Sequence, residues 1–520
     1  MKKTEPAHSL VFDHSNLNDV IIDIDIEEIQ KRVSAYSKDP LNPSQQSVFQ
    51  YTFENRVTLL WGPPGTGKTT TSAAIVMGWI ENAEENGTPL NIGVGSSNWN
   101  AIDNLLKEII ILLDKREEKV GKFKSDVEVS RVRSDSGDTF SYHRINDIIV
   151  YTQESIDLKN QLADEQIISI IGSTWKQIYN LSKDSRSTRA NAKSWFDLFL
   201  IDEASQLKVE HASGYFLYLK ENGHLLLAGD DKQLGPIYGF QMENHNEGLF
   251  DCIYTFMKET HSIEPRPIVE NYRSNKWINS WPNLRFYNQL LDSKNPERNL
   301  DINIPEKKPD NWPSSLPWND SYLDILDSNS PVAIITYPSS TDTVSNTFEA
   351  QIISALTCLF RIALGEKVSE QEFIEKKIGI VTPHRAQRSQ IQNLLLEAEI
   401  DINVGTFVDT VDRFQGQERE LILSSYCVSD KDFVSTEDAF ILDSRRFNVS
   451  LTRAKCKFVL LISEALIEYL PSDKIIAEDA SHIQMFVEKF CDIESETTLN
   501  FIEENDTEIQ KIVKIKTIEY

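Results

Sequence analysis

The feature that most constrains the fold is one glycine-rich segment, Gly62-Pro63-Pro64-Gly65-Thr66-Gly67-Lys68-Thr69. It fits the pattern G-x-x-x-x-G-K-[ST], follows the apolar run VTLLW directly, and precedes the helix-compatible stretch TTSAAIVMGWI. In such a loop the glycines let backbone N–H groups point at phosphate oxygens, and the dipole of the next helix favours negative charge there. The segment therefore predicts a strand, a phosphate-binding loop and a helix in succession, which is typical of an α/β fold.

Each residue type in the loop suits a triphosphate ligand. Lys68 is predicted to reach the β- and γ-phosphate oxygens, Thr69 to ligate magnesium, and Thr70 to lie beside the nucleotide in the first helical turn. A glycine-rich turn that binds no nucleotide is the alternative, but both flanks of the loop argue against it.

Ten short apolar runs alternate with helical stretches from Leu41 to about Ser463. The first five indicate one buried parallel sheet, and the last five indicate a second. They are residues 57–62, 91–96, 167–174, 198–204, 224–230, 332–337, 378–383, 404–410, 421–426 and 457–463. The prediction is two parallel-sheet α/β domains in tandem.

Between and around these runs the composition changes, which predicts the domain boundaries. We expect an N-terminal extension over residues 1–40, a first domain over 41–260, a second domain over 261–465 and an acidic tail over 466–520. The charged stretch 107–166 is interpreted as an insertion that interrupts the first sheet. For the tail, helical decoration and partial disorder both stay open.

The net charge is strongly negative, which is unusual for a protein that binds nucleic acid. The 520 residues include 53 Lys and Arg against 80 Asp and Glu, for a net charge of −27. Proteins that hold nucleic acid electrostatically tend to be basic, so composition alone argues against that partner. Residues 461–520 carry 5 of the basic and 14 of the acidic residues, which leaves room for a local basic groove elsewhere.

Other composition arguments concern compartment and cysteine chemistry. No apolar run reaches the roughly 18 residues of a membrane span, and the first sixteen residues lack the apolar segment of a secretory signal, so a cytoplasmic location is expected. The five cysteines are far apart and form no CxxC pair, which predicts structural thiols in place of a zinc ribbon or a disulfide framework.

A second chemical motif, Asp202-Glu203-Ala204-Ser205, follows the apolar run LFLI. At the carboxyl end of a parallel strand, Asp202 would lie beside the phosphate loop and hold magnesium through water. Glu203 would orient and deprotonate the attacking water. Alone such a pair is often only a helix cap, but together with the loop it predicts a nucleoside triphosphatase.

The order of the remaining motifs resembles that of superfamily 1 helicases, in the Upf1/Dna2-like branch whose members move 5′ to 3′. The resemblance covers residues 41 to 463. It rests on these segments: Leu41–Gln45, the phosphate loop, DEAS, Gly229–Pro236, Asn271–Ser274, Val381–Gln387, Thr410–Glu418 and Arg445–Lys455. It implies two RecA-like domains, ATP and magnesium as ligands, and an ATP site at the seam between the domains.

The resemblance also implies roles for single residues. Gln45 would read the adenine edge, Tyr272 would stack on the base, and Glu418 would contact the ribose. Gln233 resembles the sensor of the γ-phosphate, which Arg273 and Arg453 would approach from the second domain. Their order and spacing outweigh the ordinary interpretation of each as a surface amide, a core aromatic or a paired arginine.

For a nucleic-acid strand, the resemblance places backbone contacts on loops at the tops of both sheets. The matching positions are Ser97, Asn98, Ser173, Thr174, Thr382, Pro383 and Thr410. Hydroxyls, amides and loop N–H groups bind phosphate and sugar without reading sequence, which reconciles strand binding with an acidic chain and predicts a shallow salt dependence. Trp175 is either a base-stacking residue or, as its neighbours favour, a core residue.

The leading hypothesis is an ATP-dependent 5′ to 3′ motor on single-stranded DNA or RNA. The alternative is an ATP-gated clamp or switch that grips a strand and recruits a partner, such as a nuclease subunit. DNA and RNA stay open, because proteins tell them apart by contacts to the 2′-hydroxyl that no motif here reveals.

Overall fold

The computed structural model describes residues 10–11, 24–37, 39–133, 142–149, 152–182, 194–236, 251–402, 407–503 and 507–518. The chain divides into two compact units, Met1–Glu270 and Asn271–Tyr520. The boundary between the two units thus lies after Glu270, whereas the sequence analysis placed it after residue 260.

The first unit contains an eight-stranded sheet in the order β4-β3-β5-β2-β6-β7-β1-β8. Every neighbouring pair in it is parallel. The strands are β1 Val57–Trp61, β2 Leu90–Gly95, β3 Asp126–Arg133, β4 Ile145–Ile149, β5 Ile167–Ser173, β6 Phe196–Ile201, β7 Leu219–Gly229 and β8 Arg266–Pro267. All five predicted buried runs of this unit are strands of the sheet.

Helices cover both faces of this sheet, because successive residues of its strands point to opposite sides. In β6, Leu198 and Leu200 join one hydrophobic core and Phe199 and Ile201 join the other. The first core is closed by the helices Ile26–Tyr36, Pro43–Glu54, Lys68–Asn86 and Trp99–Lys119. The second is closed by Thr152–Ala163, Trp175–Ser182, Val209–Phe216 and Ile253–Glu259.

The stretch 107–166 does not interrupt the sheet, contrary to the sequence interpretation. Its strands β3 and β4 add to the sheet beyond β5, with parallel pairing throughout. One of the charges that suggested an insertion has two partners: Arg131 lies 2.6 Å from Asp103, which precedes the stretch, and 3.6 Å from Asp147. Strands near a sheet edge tolerate such charged positions, so high charge there did not mean a break.

The second unit contains a seven-stranded sheet in the order β13-β12-β14-β15-β11-β17-β16. Its first five strands are parallel, whereas β17 is antiparallel to β11 and β16 is antiparallel to β17. The strands are β11 Val332–Tyr337, β12 Ile378–Thr382, β13 Val408–Thr410, β14 Arg419–Ser425, β15 Ala454–Ser463, β16 Ile493–Ile502 and β17 Glu508–Ile518. A two-stranded ribbon, β9 Glu270–Asn271 and β10 Asp292–Ser293, lies at the start of the unit.

The predicted runs of the second unit contain strands as well, although residues 404–406 at the start of the run 404–410 lie outside the described residues. The α-helices are Lys276–Arg285, Ser321–Leu326, Thr347–Leu364, Glu370–Glu372, Arg385–Glu397, Val411–Phe414, Lys431–Ile441, Ser444–Thr452, Glu464–Ile467 and Lys474–Met485. The helix Thr347–Leu364 alone, within the described residues, is long and apolar enough to cross a membrane, but it is 78% buried, as a core helix is.

Part of the acidic tail is helical, as Lys474–Met485, which agrees with one of the two expectations, but a larger part of it forms strands, which neither expectation included. Strand β17 pairs with β11 at the sheet edge, and its Val513 and Ile515 are buried in the core of the unit. Lys514 and Lys516 alternate with these residues, and both pair with Glu494 of β16, at 3.5 and 3.1 Å. The excess of acidic residues hid this alternation of buried and paired positions.

Candidate functional site

The predicted site residues of the first unit lie at one edge of its sheet. There the carboxyl ends of five neighbouring strands stand in the order β5, β2, β6, β7, β1. Their ends are level, because Gly95 of β2 is in register with both Ser173 of β5 and Ile201 of β6. Likewise Trp61 of β1 is in register with Gly229 of β7. We call this row of strand ends the carboxyl edge, the usual ligand side of a parallel sheet.

The phosphate loop has the backbone that its sequence predicts. Gly67 starts the helix Lys68–Asn86 in the left-handed conformation, with φ of 86°, which only glycine adopts without strain. A Cβ atom there would also lie 2.9 Å from Nε2 of Gln45. Lys68 Nζ donates to the Gly62 carbonyl at 2.5 Å, so the lysine closes the loop over its own backbone.

Gln45 is placed against the phosphate loop by a capping box at the start of the helix Pro43–Glu54. Its Oε1 accepts from the Asn42 backbone at 3.1 Å, and its Nε2 donates to the Thr66 carbonyl at 3.2 Å. A glutamine amide has two lone pairs and two hydrogens, so one of each remains for a ligand. The adenine-reading role of Gln45 stays a prediction.

The carboxylate Asp202 sits at the end of β6, buried, with its Oδ2 at 3.5 Å from the Thr69 hydroxyl. Burial raises the pKa of Asp202 to about 7, and the charge of Glu203 adds to the effect, whereas Lys68 opposes it. A hydroxyl and a carboxylate at this spacing suit magnesium, which is usually held by one or two carboxylates, waters and substrate phosphates. In the described part of the chain, no three His, Cys, Asp or Glu side chains form a metal cluster by themselves.

Glu203 adopts a left-handed backbone conformation, φ 50° and ψ 42°, which is costly for a residue with a side chain and is common at functional sites. Its Oε2 accepts a hydrogen bond from Nε2 of Gln206 at 3.2 Å. The sequence analysis missed Gln206, although a glutamine three residues after the glutamate in the same turn was a usable signal.

Gln233, the predicted γ-phosphate sensor, is buried beyond the end of β7. Its Nε2 donates to Oδ2 of Asp230 at 2.8 Å, and the Asp230 backbone donates to Oγ of Ser205 at 3.4 Å. The segment after β7 is therefore tied to the segment after β6 that carries Asp202 and Glu203.

The predicted strand-binding positions of the first unit follow β2 and β5. Ser97 and Asn98 are exposed, and Asn98 caps the helix Trp99–Lys119 by accepting from Ala101 at 2.9 Å. Thr174 is half-buried, but the Ser173 side chain is fully buried, so only its backbone neighbours the surface loop.

A residue that the sequence analysis missed joins these two loops. The hydroxyl of buried Tyr215 lies 3.1 Å from the Ser96 carbonyl and 3.0 Å from the Ser173 carbonyl. Gly95 makes room for the ring, since a Cβ there would lie 2.8 Å from Cζ of Tyr215. No local pattern marks this tyrosine, because its partners are distant in sequence.

Trp175 is half-buried, between the two interpretations offered by the sequence. One face of its ring stacks on His211, with centroids 4.4 Å apart and planes 14° apart.

In the second unit, Arg273 and Glu418 form an ion pair, with Nε and Oε2 2.6 Å apart. Lys455 contacts the other carboxylate oxygen at 2.7 Å. Burial by itself would raise the pKa of Glu418, but the charges of Arg273 and Lys455 outweigh it and lower the pKa to about 2. Nearby, buried Arg453 donates to the Val449 carbonyl at 3.2 Å, and Tyr272 is 41% exposed.

The remaining strand-binding positions lie at neighbouring strand ends of the second sheet. Thr382 of β12 is in register with Thr410 of β13. Both threonines are largely buried and Pro383 is half-buried, so the surface presented here is mainly backbone. Next to Thr410, the Asp409 carboxylate pairs with Arg388 at 3.1 Å.

Comparison with known proteins matches both halves of the chain. Two families, each described as an AAA domain, match residues 45–240 and 249–465. The DNA replication ATP-dependent helicase/nuclease DNA2 of Bos taurus is 27% identical over 466 residues, covering 86% of this chain and 39% of that protein.

Two proteins of Saccharomyces cerevisiae are also similar. The DNA polymerase alpha-associated DNA helicase A is 24% identical over 477 residues, covering 83% of this chain and 66% of that protein. The ATP-dependent helicase NAM7 is 25% identical over 455 residues, covering 85% of this chain and 44% of that protein. The match to the bovine DNA2 protein spans only about two fifths of the length of that relative.

The two matched ranges include the phosphate loop, the Asp202-Glu203 pair and the arginine-bearing segments of the second unit. Together the two AAA-domain matches and the helicase relatives show that this chain belongs to the superfamily 1 helicases, in the Upf1/Dna2-like branch.

Proposed function

We propose that this chain is an ATP-driven motor that moves 5′ to 3′ along single-stranded DNA or RNA. The observation that carries the proposal is the order of strands at the carboxyl edge. Asp202 and Glu203 follow the central strand β6. On one side of it, β7 and β1 lead to Gln233 and the phosphate loop; on the other side, β2 and β5 lead to the polar loops. A hydrolytic pair in that position can sense both a phosphate ligand and a strand.

Within the ATP site, Lys68 and the N-terminus of its helix would hold the phosphates. Thr69 and Asp202 would hold Mg²⁺, whose charge neutralises phosphate oxygens when it is bound. Glu203 would accept a hydrogen bond from the attacking water and take its proton. This division of labour relies on positioning and electrostatics, as phosphoryl transfer requires.

The residues of the second unit complete the proposed chemistry. Arg273 and Arg453 would contact the γ-phosphate, Tyr272 would stack on the adenine and Glu418 would contact the ribose. Because Arg273 is paired with Glu418, its guanidinium would exchange a carboxylate for a phosphate, and a planar guanidinium suits both partners.

The strand contacts would be made by Ser97, Asn98, Thr174, Thr382 and Thr410, together with the backbone around Ser173 and Pro383. These groups are neutral, which fits a chain with a net charge of −27. The same charge favours a second candidate, an ATP-gated clamp that grips a strand weakly and recruits a partner such as a nuclease subunit. A cytoplasmic location also stays a prediction.

The test is the rate of ATP hydrolysis without nucleic acid, with single-stranded DNA and with single-stranded RNA. Lys68→Ala should lose ATP binding, whereas Glu203→Gln should bind ATP and fail to hydrolyse it, with a loss on the order of 10²–10⁴-fold for a positioned base. Hydrolysis that survives in either variant would refute the assignment of the site.

Direction and processivity separate the motor from the clamp. A 5′ to 3′ motor displaces streptavidin from a 3′-biotinylated strand and leaves a 5′-biotin complex intact. Stimulated hydrolysis without displacement from either end would favour the clamp. The polymer that stimulates ATP hydrolysis more strongly, DNA or RNA, would identify the strand on which the protein acts.

A further inference from the structure

Three hydrogen bonds join four polar side chains, from Asn98 in the loop after β2 to Glu203. Asn98 Nδ2 donates to Ser97 Oγ at 3.4 Å, and Ser97 Oγ donates to Oε1 of Gln206 at 3.5 Å. Gln206 Nε2 then donates to Oε2 of Glu203 at 3.2 Å. The exposed end of this chain of hydrogen bonds is a predicted strand contact, and its half-buried end is the predicted base.

The central amide is suited to this connection by its chemistry. A glutamine side chain accepts at one atom and donates at another, so it can bond a hydroxyl donor and a carboxylate acceptor together. A glutamate in its place would accept only. Gln206 ends the short helical turn Ala204–Gln206 and Glu203 is the residue that precedes the turn, so both residues of this bond belong to one short segment.

The two bonds of Gln206 differ in strength. The bond to Glu203 ends on a carboxylate, and hydrogen bonds to charged groups are roughly twice as strong as neutral ones. The bond from Ser97 joins two neutral groups at 3.5 Å, the outer limit of a hydrogen bond. A phosphate oxygen would therefore compete successfully for the Ser97 hydroxyl, which is exposed.

We propose that Gln206 is a positioning residue that links strand binding at Ser97 to the orientation of Glu203. Without a strand, Gln206 is fixed from both sides and holds the Glu203 carboxylate towards itself. When a phosphate oxygen of a strand takes the Ser97 hydroxyl, the Gln206 amide is held from one side only, and it can turn together with the Glu203 carboxylate towards the attacking water. The inference rests on the proposed function, and it gives that function its coupling step.

The test compares hydrolysis with and without a saturating single strand in Gln206→Ala and Gln206→Glu. Both variants remove the donor to Glu203, and the second keeps the bulk of the side chain and an acceptor for Ser97. In both we expect the strand-free rate to rise and the stimulation ratio to fall, by roughly tenfold, since small displacements of a catalytic group change rates by that order or more. The KM for ATP and the melting temperature should not change.

Gln371→Ala is the matched control. It removes a Gln-to-Glu bond of the same 3.2 Å length, between Gln371 and Glu375, on the exposed surface of the second unit. Both rates should equal those of the wild type.

The outcomes separate the inference from the function on which it rests. A wild-type protein that neither polymer stimulates would overturn the proposed function and the coupling with it. A stimulated wild type, together with Gln206 variants that keep its ratio or that lose only the stimulated rate, would overturn the coupling alone.

Discussion

Replacing Tyr215 by phenylalanine tests whether the two strand-binding loops of the first unit are held by one hydroxyl. The hydroxyl is buried and shares its proton between the carbonyls of Ser96 and Ser173, at 3.1 and 3.0 Å. A net hydrogen bond contributes about 0.5–1.5 kcal/mol, and a buried acceptor left without its donor adds to the loss. We therefore expect Tyr215→Phe to lower the free energy of unfolding by about 1–3 kcal/mol.

The assay is thermal unfolding together with strand binding. For domains of this size each 1 kcal/mol corresponds to about 2–4 °C in melting temperature, so the transition of the first unit should fall measurably. Binding of a single strand should weaken in parallel, because the carbonyls that lose their donor directly precede Ser97 and Thr174.

Tyr254→Phe is the control for the tyrosine-to-phenylalanine change itself. Tyr254 is equally buried, but its hydroxyl has no protein hydrogen-bond partner among the described residues. Its loss should leave stability nearly unchanged. Equal effects of the two substitutions, or an unaltered Tyr215→Phe protein, would refute the idea that this hydroxyl fastens the loops.

Three further predictions concern the nucleotide, the arginine cluster and the strand. Gln45→Ala should raise the KM for ATP and reduce the preference for ATP over GTP, as competition kinetics would show; an unchanged preference would contradict adenine reading. Burial would raise the pKa of Glu418, but Arg273 and Lys455 lower it to about 2. The ionised Glu418 therefore contributes stability that is present above the unfolded pKa of about 4.3 and is lost as the pH falls through about 2. Glu418→Gln should therefore lower the unfolding midpoint at pH 7 and remove part of the acid dependence, and identical pH profiles would argue against the ion pair. Binding of single strands should depend weakly on salt, with a logarithmic slope smaller than about 2, because the proposed contacts are neutral and each phosphate neutralised adds about 0.7; a steep slope would show an ionic groove instead.

The sequence by itself determined the features that depend on neighbours along the chain. The phosphate loop, the Asp202-Glu203 pair and the ten strand runs are local patterns, in which residue type and spacing fix backbone conformation. The order of the motifs was also sufficient for the family, because that order is written in the chain. Within the described residues, each of the ten runs contains a strand, and the loop and the acidic pair lie at one sheet edge.

Tertiary structure alone decided how distant segments meet. Part of the charged stretch 107–166 forms strands of the first sheet, where Arg131 pairs with two aspartates. Part of the acidic tail forms β16 and β17, because β17 can pair with the free edge of β11. Neither partner is visible in the local pattern.

The same reason explains the side chains that the sequence analysis missed. Tyr215 reaches a carbonyl 119 residues away, and Gln206 reaches a hydroxyl 109 residues away. A hydrogen bond requires only that two groups be brought within about 3 Å, and folding brings them there regardless of their separation in sequence. Composition and periodicity describe one segment at a time, so contacts between segments that meet at a sheet edge are decided by strand order and register.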